Sequence, residues 1–502
     1  MNHSTQNQVH VKDQSAANRD VFERWGLPYE KVIALGERLQ AFHRRFHHCF
    51  ATQTNNKSDY ARVYLQGLLW MEGGRNYTNI ARRVIGPEDD GQGLQHFMSD
   101  SPWSGENVFE QIQVEIAERP ELAGGMLCLD ETGVACSGKQ KAGAARQYLG
   151  REGKVDLGQV GVGLSYYKEG LWTLVDAGLY LPQVWFSEAY QSLHERWHVP
   201  PERTFRSKPA LGLEMIKRAH ERGLPFQAVS CDSLYGRDSQ FREELDQMGL
   251  IYMADIPKNV QVYLSEPQVG VPRTPTNKRG RPYSRWSVLN HIPAMSVRSL
   301  AQHPDFAFQT VRGRHTERGW LFDTCAAKQV YTITDGGEVR KEWLFIREEE
   351  NGRLSYSLSN APAETGLHTL ALWRSQRYFV ERTFQDAKSE AGWDELMARK
   401  YRVWMHHAAL DALVLWFVAE TKLDWALAHP RDPTLAEEFE VDQLPHLSMA
   451  NIRDLLRAVL PLKRLTPDQA IGLVIQQLID RARSTQCRLR AQQRSGLKGV
   501  DT

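Results

Sequence analysis

The chain has 502 residues and a formal net charge of +1 at pH 7. That length calls for about two to four domains, and the even charge balance excludes nucleic-acid binding by bulk charge, leaving only local basic clusters to provide it. No apolar run approaches the ~18–20 residues of a membrane span, the N-terminus lacks an apolar signal core, and the six cysteines are scattered without a Cys-x2-Cys pair, which excludes a zinc ribbon.

Residues 1–19 are polar and are expected to be disordered. Residues 20–120 carry helical patterning. Within them Tyr77–Val84, a break at Gly86-Pro87 and a second apolar stretch at Leu94–Met98 outline a helix-turn-helix or, equally, a plain helical hairpin.

From Met126 the character changes. Met126–Leu129, Gln159–Ser165 and Leu171–Leu179 are strand-like. A helix at Lys208–Arg222 stops at Gly223 and Pro225. A strand at Phe226–Cys231, a helix near Ser239–Met248 and a strand at Ile251–Ile256 follow. Three strands and then alternating helix and strand is the order of an RNase H-like α/β domain, whose first part is 121–257.

Residues 258–370 read as a β-rich insertion, with hairpin turns at Asp335-Gly336-Gly337 and Asn351-Gly352. A helical pattern runs from Arg374 through about Lys422, so the core resumes as a helix over 371–425. A helical C-terminal region, 426–502, ends in a tail with Arg481, Arg483, Arg488, Arg490, Arg494 and Lys498. A second basic stretch is Lys278-Arg279-Gly280-Arg281. Either is a phosphate site or a solvated surface. The expected fold class is thus α/β: an RNase H-like catalytic core with a β-rich insertion and helical N- and C-terminal regions.

Three carboxylates stand out. Asp130 closes the apolar run Met126-Leu127-Cys128-Leu129, and Asp232 closes Ala228-Val229-Ser230-Cys231. Glu381 lies in Arg377-x3-Glu381-x6-Lys388. On an ideal helix Arg377 is roughly 40° and Lys388 roughly 20° around the axis from Glu381, so one face brackets a carboxylate with two cations. Each has an ordinary alternative: an aspartate after a strand is a common turn residue, and a glutamate between cations forms surface ion pairs. Together, two strand-end aspartates and a helix glutamate in an RNase H-like order form a set of hard oxygen donors for divalent ions and phosphodiester chemistry.

With these residues in place, the chain resembles the DDE-type transposases of bacterial insertion sequences, in the group whose last motif is Tyr-x2-Arg-x3-Glu-x6-Lys. Arg377, Glu381 and Lys388 match that motif, while Arg374 stands where the tyrosine belongs. Asp130-x-Thr132-Gly133, Gly143-Ala144-Ala145-Arg146-Gln147-Tyr148, Gly153-Lys154 and Gln159 are similar to the first-aspartate region of one branch, and Asp232-x2-Tyr235-Gly236 to the second. The resemblance covers roughly residues 60 to 420.

It implies an endonuclease and strand-transfer enzyme in which Asp130, Asp232 and Glu381 are the catalytic residues and hold Mg²⁺, with Mn²⁺ as substitute. Arg377, Lys388, Arg374, Arg146 and Lys154 would meet DNA phosphates, and Trp320 would stack on a displaced base. The implied partners are the double-stranded DNA of element ends and target, with a homodimer on DNA and no membrane. The implied location is the cytoplasm, associated with the nucleoid when bound. The alternative is a domesticated descendant that binds DNA without cutting it.

Overall fold

The computed structural model describes residues 19–460, except 54, 274–282, 317–318, 350, 396–398, 441–443 and 445, and isolated positions beyond 460. The expected disorder of residues 1–18, the Lys278–Arg281 stretch and most of the basic tail fall outside the described residues.

The N-terminal region is helical, as its patterning predicts: α1 (Leu35–Arg45), α2 (Ser58–Trp70), α3 (Tyr77–Val84), α4 (Gln92–Ser99) and α5 (Gly105–Ala117). α3 and α4 bury Ile80, Ala81, Leu94 and Phe97. The turn between them needs Gly91 at φ +78, where a Cβ would meet the Thr78 backbone nitrogen at 2.6 Å.

The sheet begins with β1 (Gly125–Ala135), β2 (Ala145–Leu149), β3 (Lys154–Lys168) and β4 (Leu171–Tyr180). β3 runs antiparallel to β1 and to β4. Helix α6 (Lys208–Glu221) then carries the chain back across the sheet. The Ser207 side chain accepts the Ala210 N–H at its start, and Gly223 at φ +75 follows its end. The crossover allows β5 (Phe226–Cys231) to pair parallel to β1. After α7 (Ser239–Gln247), β6 (Tyr252–Ile256) pairs parallel to β5. The order β4-β3-β1-β5-β6 is the RNase H-like arrangement expected from the sequence. Parallel strands covered on both faces are apolar throughout, and Met126–Leu129 and Ala228–Cys231 are buried accordingly.

The insertion does not stand apart. Its long strands, β7 (Gln309–Thr316), β8 (Gly319–Ile333), β9 (Val339–Glu348) and β10 (Leu354–Ser359), continue the same 10-stranded sheet. β10 pairs antiparallel to β6, with Tyr356 opposite Ile256. A satellite core that includes Val262, Phe306, Val330 and Leu344 lies beneath these strands.

The single helix expected from Arg374 to about Lys422 is three: α8 (Leu367–Gln376), α9 (Tyr378–Asp386) and α10 (Tyr401–Ala428). A π-helical turn, Ala387–Ala391, follows α9, and Gly392 at φ +86 ends it. Arg75 presses so closely on Gly392 that a Cβ would lie 2.7 Å from its Cδ. α10 is buried on nearly every face between Val403 and Thr421, as its all-round apolar composition requires. It packs on β4 and α5, and Arg45 ties it to the N-terminal helices through Glu115 and Glu420, both at 2.8 Å. Helix α11 (Met449–Val459) starts at a capping box formed by Ser448 and Asn451. Among the described residues no helix is long and apolar enough to cross a membrane.

Candidate active site

The site follows from strand register. Leu129 of β1 is opposite Cys231 of β5, and Cys231 is opposite Ala254 of β6. The next residue on each chain is Asp130, Asp232 and Asp255. Three aspartates therefore form a row across the carboxyl ends of the parallel pairing, on strands roughly 5 Å apart. β1 itself runs on to Ala135, so Asp130 does not close its strand. What ends there is the pairing with β5, because β5 gives way to a one-turn helix, Ser233–Gly236. Asp232 caps that turn and accepts the Leu234 N–H at 2.9 Å.

The sequence reading missed Asp255, although its signal was available. Ile251-Tyr252-Met253-Ala254-Asp255 has the same form, an apolar run closed by aspartate, as the two runs singled out. Asp255 is held from one side: the Ser357 hydroxyl donates to its Oδ1 at 2.7 Å, and Arg374 Nε lies 2.6 Å from the same oxygen. The other oxygen faces Arg377 Nε at 3.5 Å.

Arg377 is the hub. Its Nη1 lies 3.3 Å from Asp130 and its Nη2 3.1 Å from Glu381. Burial works against its charge, but Asp255, Asp130 and Glu381 together outweigh burial and raise its pKa above the ordinary value. Burial pushes the Asp130 carboxyl up to about 7, with Asp232 adding to the rise and Arg377 opposing it. Asp232 is also raised, mainly by burial. Glu131 completes the polar surroundings, 2.7 Å from Lys208 Nζ and accepting from the Tyr235 hydroxyl at 3.4 Å.

Glu381 lies on α9, its side chain about half exposed at 54%. Its height above the sheet is set by close packing. A Cβ on Gly163 would meet the Phe384 ring at 2.7 Å, and one on Gly161 would meet Trp404 at 2.5 Å. Gly163 thus lets the glutamate helix, and Gly161 lets α10, lie on the strand backbone. Across the top of α9 the guanidinium of Arg314, from β7, stacks 3.7 Å from the centre of the Tyr378 ring.

The other predicted site residues fall in different places. Arg374 is buried on Asp255, and burial lowers its pKa. Its guanidinium is turned inward onto that carboxylate. Lys388 lies in the π-helical turn after α9. Arg146 is opposite Leu157 and Lys154 opposite Leu149, on the β2–β3 hairpin. Asp130 is opposite Gly163, so at ~3.3 Å per residue these cations are roughly 20 and 30 Å along the strand from the aspartates. Lys154 is exposed and pairs with Asp156 at 2.9 Å. The Trp320 backbone is on β8, opposite His315, and its side chain lies outside the described residues.

Asp130, Asp232 and Glu381 offer only carboxylate oxygens, a donor set that suits hard divalent ions. Asp130 is also a buried carboxylate whose partners leave its charge incompletely compensated. Both observations fit a cation. Among the described residues no three His, Cys, Asp or Glu side chains are grouped closely enough to hold an ion, and Arg377 is the group that contacts both Asp130 and Glu381.

An RNase H-like sheet with aspartates at the ends of its parallel strands, overlain by a glutamate helix, is the architecture of a phosphodiester-processing enzyme. Comparison with known families gives the particular one. A model of the DDE superfamily endonucleases matches residues 45–319, more than half of the chain, and the chain belongs to that family. It is an enzyme of the DDE type, with DNA as substrate and dependence on divalent metal ions. The matched span contains Asp130 and Asp232 and stops before Glu381. The chain is also similar to a probable transposase for insertion sequence element IS701 from Microchaete diplosiphon. The two are 26% identical over 320 residues, which is 62% of this chain and 70% of the relative.

Proposed function

We propose that this DDE enzyme is a DNA transposase that cuts the ends of an insertion sequence and joins them to target DNA, using Asp130, Asp232 and Glu381 with Mg²⁺, or Mn²⁺ in its place. The observation that carries the reading is the register of β1 and β5. It places Asp130 beside Asp232, while Arg377 links Asp130 to Glu381 on the overlying helix. Bound there, divalent metal would activate a hydroxyl nucleophile and stabilise the leaving oxygen of an in-line displacement. Asp130 and Asp232 are fixed by the sheet, so their contribution is a preorganised pair of oxygen ligands. Glu381 supplies the third from a more exposed position.

Cleavage and strand transfer then differ only in the nucleophile, water or a DNA 3′-hydroxyl, and no covalent protein–DNA bond is needed. Lys388 and the helix pair α3–α4 are the proposed DNA contacts, and a homodimer on the nucleoid is the proposed working form. The test is to incubate purified protein with DNA carrying the element's ends, with and without Mg²⁺. Metal-dependent nicking at the ends and joined products are expected. Binding without nicking in either metal would overturn the catalytic reading.

A further inference from the structure

Arg377 stands in an unusual relation to the carboxylates around it. It contacts Asp130, Glu381 and Asp255 at 3.3, 3.1 and 3.5 Å. None of these contacts is as short as the 2.6 Å pair between Arg374 and Asp255. The cation is shared among three partners and fully committed to none. Its partners also differ in kind. Asp255 is pinned by Ser357 and Arg374 through one oxygen, and its other oxygen is directed at Arg377. Glu381 is the most exposed of the three.

We propose that Arg377 is a displaceable cation between Asp130 and Glu381, and that Asp255 is the positioning residue that would keep Arg377 once those two carboxylates hold a divalent ion. The inference rests on the reading of Asp130 and Glu381 as metal ligands. With a divalent ion held by Asp130 and Glu381, these carboxylates would no longer need the charge compensation that Arg377 provides, and the guanidinium would be repelled. A buried guanidinium expelled without a carboxylate to receive it is costly. Asp255, next in the row after Asp232 and already facing Arg377 Nε, is that carboxylate. Arg374 and Ser357 hold it in place, so the receiving position is built into the fold. Asp255 thus acts on metal affinity through Arg377 and is not itself a ligand.

The test is Mn²⁺ binding to the DNA-free protein, followed by electron paramagnetic resonance of the free ion and by calorimetry, with circular dichroism melts to confirm folding. In Asp255→Asn the displaced arginine loses its receiver, so Mn²⁺ binding should weaken about tenfold or more, the size typical of residues that support metal ligands. Arg377→Gln should bind at least as tightly as the parent chain. The double variant Asp255→Asn/Arg377→Gln should bind like Arg377→Gln alone. Ser357→Ala, which loosens Asp255 without removing its charge, should show a smaller loss in the same direction and serves if Asp255→Asn does not fold. An unchanged Kd in Asp255→Asn, or an equal loss with and without Arg377, overturns the proposal. The metal-site reading fails separately, if Asp130→Asn and Glu381→Gln bind Mn²⁺ as the parent does.

Discussion

Gly163 stands directly opposite Asp130 across the β1–β3 ladder, and a Cβ on it would press on the Phe384 ring at 2.7 Å. The same point of the sheet therefore presents the first aspartate on one strand and seats the glutamate helix on the next. Phe384 is one turn beyond Glu381, so lifting its ring lifts the carboxylate. Gly163→Val should destabilise the protein by about 1–3 kcal/mol through overpacking and should reduce cleavage far more than that loss alone explains. Gly150→Ala, where a Cβ would meet nothing within 4 Å, is the control and should melt and cut like the parent. Parent-like cleavage by a folded Gly163→Val would show that the seat does not position Glu381.

Asp130→Asn, Asp232→Asn and Glu381→Gln should each abolish cleavage and leave binding to element ends largely intact. The three groups are proposed to hold metal rather than DNA. Exhaustive chelation should have the same effect on the parent, with Mg²⁺ or Mn²⁺ restoring activity. Gel-shift and nicking assays on the same samples separate the two properties. A variant that nicks at the parent rate removes its residue from the triad.

Stability of the metal-free protein should depend on Asp130 in a defined direction. Burial pushes its folded pKa up to about 7, from the ordinary carboxyl value of 3.8. Between those values the folded state keeps a proton that the unfolded state has lost, so stability falls as pH rises. The loss is on the order of 3 kcal/mol across that interval. Asp130→Asn cannot ionise and should flatten this slope. Chelated samples melted from pH 4.5 to 7.5 give the comparison, and identical slopes in parent and variant would remove Asp130 as the cause.

Much of this arrangement was legible in the chain because the signals are local. The apolar runs before Asp130 and Asp232 mark buried parallel strands, and the glycines of Gly158-Gln159-Val160-Gly161-Val162-Gly163 mark a strand approached closely by another element. The strand-helix-strand order through Ile256 gave the sheet order. The rest depends on contacts distant in sequence. Nothing near Ile251 says that Asp255 will face Arg377, because that pairing is made only when β6 lies in register with β5. The inward turn of Arg374 follows from the same aspartate. The π-helical turn and the break at Gly392 pack against Arg75, more than 300 residues earlier, a contact that helix periodicity cannot reveal.

The two cations of the last motif should behave differently on DNA. Each phosphate contact contributes about one unit to the salt dependence of binding. Arg377 is engaged with three carboxylates, its side chain only 19% exposed, so Arg377→Ala should leave the salt slope nearly unchanged. Its effect should appear in cleavage, with Mn²⁺ affinity no weaker than that of the parent. Arg377→Lys should restore only part of the cleavage, since a lysine cannot reach several carboxylates with a planar fork. Lys388 lies in the π-helical turn that follows α9. Lys388→Ala should lower the slope by about one and weaken binding to element ends and unrelated DNA alike, since a phosphate contact carries no sequence information. Fluorescence anisotropy titrations at four or more salt concentrations decide the matter. A slope lowered by about one in Arg377→Ala would assign Arg377 to the DNA and remove it from the carboxylates.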